Sequence, residues 1–390
     1  MPAYCERNLL PLEPSLLYCD GEEQTFCPLS QPHKIYRKTI SALSADSTIV
    51  AHSSGWFLLA YQEHTHFSLW NPTIPHSFIH LPPLSLNPTP KIKHYFLSSP
   101  PGDPDCKVLL FDDVLGSVIF IRLEDPHKEW TRIQYARSFI CPEGKETNKD
   151  CLGGCVSCNG KSYGFTIHGR ELVILDVDKG NNLVMEPLCC KMPDVVPSTA
   201  GAIVSVFLRR LVECCGELLY VEIPFGASKM DRLNEVHVFR LDFVGMNWER
   251  AGSLMGQAVF LDAVGASSFN PAFGEGIEAD SIYFTHFEDQ GLMLYTFNVR
   301  DGCVSTTLPC PSVPSSSFSS PMIFVPPYVC MGVPNKWIEN YTEHDAMFWL
   351  NNSSRVFYKG SFYLLDLEGK LSVLKYEEEE IDLEFHQTVS

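Results

Sequence analysis

From residue 49 onward, short runs rich in Val, Ile, Phe and Tyr recur, each closed by Gly, Pro, Asn or Asp, and sustained helical periodicity is scarce. That texture restricts the chain to strands joined by tight turns. A representative stretch runs Ser54-Gly55-Trp56-Phe57-Leu58-Leu59-Ala60, then a polar turn with Glu63 and His64, then Phe67-Ser68-Leu69-Trp70-Asn71-Pro72, and closes at Leu81-Pro82-Pro83-Leu84. Two apolar strands around a polar turn, with a proline stop, form a hairpin signature. An isolated hairpin is marginal in water, so this unit implies an array of similar ones.

Further units follow. Cys106–Phe111 and Ser117–Arg122 flank a turn that ends at Gly116, with Trp130-Thr131-Arg132-Ile133 beyond. Cys155–Cys158, the Asn159-Gly160 turn, Ser162–Thr166 and Glu171–Asp176 form a third; Asn-Gly between strands is a strong hairpin signal because both residues tolerate positive φ. The fourth contains Leu218–Ile223, Val236–Leu241 and Trp248, and the fifth Ser281–Thr285 and Leu292–Phe297. Residues 355–374 repeat the order of 155–176: strand, Gly turn, Phe/Tyr strand, Gly turn, strand. The expected fold is all-β, a β-propeller of about six four-stranded blades, with a sandwich as the alternative. The expected organisation is an irregular lead-in over 1–48, blades over 49–310, and a Pro/Ser-rich linker over 311–328. A C-terminal blade-like repeat then covers 329–376, and an acidic tail 377–390. The repeat at 355–374 is expected to pack beside the first unit and close the ring.

Lys and Arg number 29 against 47 Asp and Glu, a net charge of −18, which opposes nucleic acid and anionic membranes as partners. The first residues lack a basic segment followed by an apolar run, and no apolar run reaches the ~18 residues of a membrane span. The expected location is therefore cytoplasmic or nuclear, with the 15 cysteines reduced and Asn340, Asn351 and Asn352 unglycosylated. The expected state is a monomer.

The candidate chemistry is sparse. Cys151, Cys155 and Cys158 have the spacing by which three thiolates can hold an iron–sulfur cluster, with Cys141 as a fourth ligand. Against that, the alternating helices of such enzymes are missing from the pattern, and Gly153-Gly154 and Asn159-Gly160 read as an ordinary strand entry and turn, with Cys155 and Cys158 on opposite strand faces. No metal, cofactor or catalytic residue is expected. The pairs Cys189-Cys190 and Cys214-Cys215 lack a partner pair at zinc spacing and read as buried or edge thiols; His64 and His66 read as a polar turn. No Gly-x-x-x-x-Gly-Lys phosphate loop occurs. Trp56, Trp70, Trp130, Tyr163, Tyr220, Trp248, Tyr283 and Tyr363 are assigned to the structural core, filling gaps between sheets, whereas Trp337 and Trp349 are more open to a binding role.

Several of these pieces, in order, resemble the plant F-box-associated β-propellers, the KIB-type group also called domain of unknown function 295. They are Ser54-Gly55-Trp56 with Leu58-Leu59, Leu69-Trp70-Asn71-Pro72, Pro104–Val108, Gly160–Tyr163, Gly216–Val221, Val238–Asp242 before Trp248, Gly256–Leu261 and Asp280–Thr285. The resemblance covers about 50 to 310. It implies a propeller that recruits a target for an SCF-type ubiquitin ligase, whose Skp-type adaptor binds an F-box. Residues 1–48 lack the expected Leu-Pro-rich amphipathic helices, so the implied link to that adaptor is indirect. The expected function is a non-catalytic protein-interaction propeller with an unknown protein partner. The alternatives are an enzyme with its site in the propeller channel and a degenerate F-box relative without ligase coupling.

Overall fold

The computed structural model describes residues 13–325 apart from 21–22, 32–33, 41, 44–45, 54, 73–77, 87–89, 113–115, 126–128, 135–137, 141–145, 150–151, 168–169, 179, 194–203, 227–235, 263–264, 270–275, 289–290 and 308–321. Beyond 325 it describes the strands 355–358, 361–365, 371–377 and 380–386. Among the described residues the regular elements are all strands, and no helix is long and apolar enough to cross a membrane.

Six sheets form a ring, each with its first-named strand innermost at the axis. Blade 2 is Thr48–Ser53, Trp56–Tyr61, His66–Trp70 and Phe78–His80. Blade 3 is Ile92–Leu97, Lys107–Asp112, Ser117–Arg122 and Thr131–Gln134. Blade 4 is Leu152–Cys158, Lys161–Thr166, Glu171–Val177 and Leu183–Lys191. Blade 5 is Val204–Cys214, Glu217–Gly226, His237–Asp242 and Asn247–Arg250. First strands of adjacent blades touch from blade 2 through blade 6, which fixes the inner wall. Blade 6 is irregular: Ala266–Phe269 lies innermost, Ala258–Leu261 is inserted parallel to Ser281–Glu288, and Gly291–Asn298 and Val304–Thr307 complete five strands.

The middle strands read as continuous apolar runs because both faces of a blade are covered by neighbouring blades. Val108, Leu109, Leu110 and Phe111 are all at most 3% exposed. Alternation survives as a choice of interface: Leu58 and Ala60 pack with blade 3, whereas Phe57 and Leu59 pack on the other side, with Leu17, Phe26, Met322 and Phe324. The same division holds for Leu219 and Val221 against Leu218 and Tyr220. Six apolar clusters occupy the six blade interfaces, so the ring is closed.

Closure comes from a part of the chain whose composition suggests a linker. Blade 1 pairs the innermost strand Met322–Phe324 with Ser15–Asp20, Glu23–Pro28 and Tyr36–Lys38, in the register Ser15 to Phe324 and Leu17 to Met322. The lead-in is therefore corrected to three blade strands, and the closing strand to 322–324 in place of 355–374. Pro14 and Pro28 bracket these strands, positions where a missing amide donor does little harm. Asp262 ties the closure to the rest of the ring. Its Oδ2 accepts the Ile323 amide at 2.8 Å, its Oδ1 accepts Gly265 N at 2.8 Å, and its carbonyl accepts Arg210 Nη2 of blade 5 at 3.0 Å. His52 Nε2 of blade 2 lies 3.8 Å from the same carboxylate.

Two further sheets are not hydrogen-bonded into the six blades. Ser138–Ile140 and Glu146–Lys149 form a two-stranded sheet between blades 3 and 4 in sequence. Arg355–Tyr358, Ser361–Leu365, Leu371–Glu377 and Glu380–His386 form a four-stranded meander, so Glu377 and Glu380 end and begin strands where a solvated acidic tail was expected.

Candidate docking face

In this ring the turns joining first to second and third to fourth strands leave on one face, and those joining second to third leave on the other. Among the described residues, the exposed large apolar side chains are Ile35, Tyr36, Phe243, Val244 and Met255. Ile35 ends the third-to-fourth connection of blade 1 and Tyr36 opens its fourth strand, while Phe243 and Val244 lie in the third-to-fourth connection of blade 5. Met255 sits on the same face: Leu254 beside it accepts Cys214 Sγ at 3.8 Å, at the end of blade 5's first strand, and donates its amide to Asp280, just before Ser281. All five therefore point to one end of the ring.

Carboxylates hold two of these tips rigidly. Asp242 accepts the amides of Val244 at 2.9 Å and Gly245 at 3.0 Å, which fixes the turn and leaves Val244 96% exposed. A Cβ on Gly245 would come within 2.5 Å of Asp242 Oδ2, so the turn closes around a residue without a side chain. Phe243 leans its ring on Tyr163 of blade 4, centroids 5.9 Å apart. Asp280 Oδ1 accepts Ser253 Oγ at 2.7 Å and the amides of Leu254 at 2.6 Å and Gly256 at 3.1 Å, while Arg300 Nε reaches Oδ2 at 2.5 Å. Met255 is thereby held at φ 56°, a left-handed conformation that is strained for a methionine unless its surroundings impose it.

Burial alone would raise the Asp280 carboxyl, but the bonds from Ser253, Gly256, Leu254 and Arg300 outweigh it and hold its pKa below the ordinary value. A depressed folded pKa stabilises above the unfolded value of roughly 4 and loses that contribution as pH falls through the folded value. The loss of melting temperature on acidification below about pH 4 should therefore be shallower in Asp280→Asn than in the wild type, measured by calorimetry. Parallel acid profiles would contradict this role for Asp280.

Two buried carboxylates, Glu222 and Asp262, are engaged internally. Glu222, 0% exposed, receives Arg209 Nε at 3.1 Å, Arg209 Nη2 at 3.0 Å and Tyr220 OH at 2.8 Å, with Arg170 Nη2 at 3.6 Å. Arg170 comes from the second-to-third connection of blade 4, so the cluster clamps blade 4 to blade 5. A small crevice of about 160 Å³, open solvent included, lies beside it between Phe165, Ile167, Arg170, Met192, Arg209 and Tyr220. Burial, and next the Glu222 carboxylate, push the Tyr220 hydroxyl pKa up, which keeps it a neutral donor.

Of the cysteine candidates, Cys151 lies outside the described residues, as do Cys141, Trp337 and Trp349. Cys155 faces the blade 3 interface and Cys158 the blade 5 interface, on opposite sides of one strand. Burial pushes the Cys155 thiol up, and burial with Glu213 and Glu217 pushes Cys158 up to about 12, so neither is a thiolate at neutral pH. Among the described residues, no group of three His, Cys, Asp or Glu side chains is placed to hold a metal. Cys190 and Cys214 are buried; Cys215 is exposed, at φ 52° before Gly216 at 80°, in a turn matching Asn159-Gly160 at 50° and 72°. These two turns touch through Asn159 Nδ2 and Gly216 O at 2.7 Å. His64 lies in the second-to-third turn of blade 2 and bonds Tyr95 OH at 2.5 Å.

Each aromatic residue assigned to the core has a definite place. Trp70 packs at the interface of blades 1 and 2, Trp56 and Trp130 at that of blades 2 and 3, and Trp130 Nε1 donates to Pro82 O at 2.7 Å. Tyr163, Tyr220 and Trp248 line the interface of blades 4 and 5, and Tyr283 that of blades 6 and 1. Tyr363 is in the C-terminal meander. Sequence patterning misses the docking residues because Phe243 and Val244 follow Leu241-Asp242 like the tail of a core strand; only Asp242 and Gly245, as turn formers, hint otherwise.

Residues 26–305, more than half of the chain, match the family model described as the KIB1-4 beta-propeller. No curated protein sequence matches. Solved structures similar to the chain include a putative 6-phosphogluconolactonase from Bacteroides uniformis, at 10% identity and TM-score 0.38, covering 96% of this chain and 95% of that one. AztD from Citrobacter koseri in its apo form is similar at 11% identity and TM-score 0.36, covering 96% and 94%. A protein from Lactobacillus plantarum is similar at 8% identity and TM-score 0.37, covering 96% and 95%. Likenesses this remote carry no argument about activity.

Proposed function

The chain belongs to the KIB1-4 beta-propeller family, and from that premise we propose that it is a non-catalytic protein-interaction propeller that docks its partner on the face bearing Val244. The observation that carries this reading is the emergence of all five described exposed apolar side chains on one face, two of them on turns pinned by Asp242 and Asp280. Apolar residues on preordered turns lose little conformational freedom on binding, which favours association. The channel-enzyme alternative needs an accessible acid or base near the axis, and there Glu222 and Asp262 are enclosed and committed to arginine and backbone donors.

The test compares the tagged wild type with Phe243→Ser/Val244→Asn by quantitative mass spectrometry of co-purifying proteins. A partner recovered in equal amounts with both would refute docking on this face. In the finer form of the reading, the chain acts as a monomer in the cytoplasm or nucleus and holds a target of an SCF-type ubiquitin ligase, linked to the Skp-type adaptor indirectly. Mixing purified chain with purified adaptor should then yield no complex; a stoichiometric complex would refute the indirect link.

A further inference from the structure

We infer that the partner segment received on this face is basic, with lysine or arginine flanking an aliphatic or aromatic anchor; this rests on the docking reading above. The apolar tips of blades 5 and 6 are surrounded by carboxylates. Glu213 and Glu217 flank the first turn of blade 5, Asp242 and Glu249 flank its second, and Glu278 and Asp301 leave blade 6 on the same face. Two cations beside these tips are already engaged: Arg240 lies 3.5 Å from Glu217 and 4.0 Å from Glu249, and Arg300 is committed to Asp280. Lys161, across the blade 4 turn, is an exposed cation opposite these carboxylates in the chain order of the turns.

Three of these carboxylates are structural. Asp242 bonds the Val244 turn, Glu213 accepts the Gly216 amide at 2.8 Å, and Asp301 accepts the Cys303 amide at 2.8 Å. Glu217, Glu249 and Glu278 remain on the rim, with the Glu249 side chain 52% exposed. An acidic segment seated over Val244 would bring like charges together and be rejected, whereas a basic one would be drawn in. Rim charges act mainly on the association rate, and that effect falls with salt. On the opposite face the described turn of blade 2 carries Glu63 and His64, with no exposed large apolar side chain among the described residues.

The experiment selects displayed random dodecapeptides on the full chain. The enriched sequences are then synthesised, and their binding to wild type, Val244→Asn and Glu217→Gln/Glu249→Gln is measured by fluorescence anisotropy at low and high salt. The inference expects Lys or Arg beside apolar residues in the enriched peptides and weakened binding to Val244→Asn. It also expects a loss of roughly fivefold or more with the double charge variant at low salt that disappears in about 0.5 M salt. Neutral or acidic peptides that still depend on Val244 would overturn the basic partner and leave the docking face standing. Peptides indifferent to Val244→Asn would overturn both, and a selection that enriches nothing would overturn the basic partner.

Discussion

Deleting the chain from Met322 onward should abolish cooperative folding, while deleting from Ser353 onward should leave the ring's melting transition within a few degrees of the full chain. The asymmetry follows from where the ring closes. Met322, Ile323, Phe324 and Val325 are each at most 9% exposed and fill the interfaces of blade 1 with blades 6 and 2. Burial of such side chains stabilises by about 1.5–3 kcal/mol each, so their loss approaches the ~5–15 kcal/mol that holds a typical protein folded. It would also leave Ser15–Asp20 as a bare inner edge and free the Asp262 carboxylate from Ile323. Scanning calorimetry and size-exclusion chromatography of the two truncations decide the matter. Equal losses would return the closing role to the C-terminal meander.

The second large effect concerns the clamp between blades 4 and 5. Truncating Glu222 to Ala removes the carboxylate that faces both Arg209 and Arg170 and leaves two guanidinium groups about one empty acceptor site. Breaking a buried ion pair from one side costs about 3–5 kcal/mol, because the remaining charge is uncompensated. The expected fall in melting temperature is on the order of 10 °C. Glu222→Gln, which keeps an acceptor for Tyr220, should lose less. A shift within about 2 °C for the alanine variant would show that the clamp contributes little.

How far the sequence reveals this molecule depends on the range of the signals. Blades 2 to 5 are legible because each is built from neighbours in sequence, and local cues such as Asn159-Gly160 mark the turns. Blade 1 is not, since its innermost strand is drawn from 322–324 and its partners from 15–38, a pairing with no local trace. The prolines of the first 48 residues argue against strands when counted, yet Pro14 and Pro28 sit at strand ends, where they do no damage. Cys155 and Cys158 separate by simple strand alternation, which is readable; the acidic Glu377–Glu380 run reads as a tail because a four-residue hairpin end and a disordered acidic run have the same composition.

The docking face is the least legible part. Val244 and Met255 belong to residue types that fill cores, and their exposure is set by the turns that Asp242 and Asp280 fasten. The Asp280 fastening joins the connection that carries Ser253 and Gly256 to Arg300 of a separate one, so no short stretch of sequence announces it.

Site-specific photo-crosslinking tests the docking claim most directly. A photoreactive residue is placed at position 244 on one face or at position 64 on the other, and the full chain is irradiated in cell extract. The docking reading predicts a discrete protein adduct from position 244, reduced by Met255→Ser, and none from position 64. Adducts from position 64 alone, or from neither position, would contradict it.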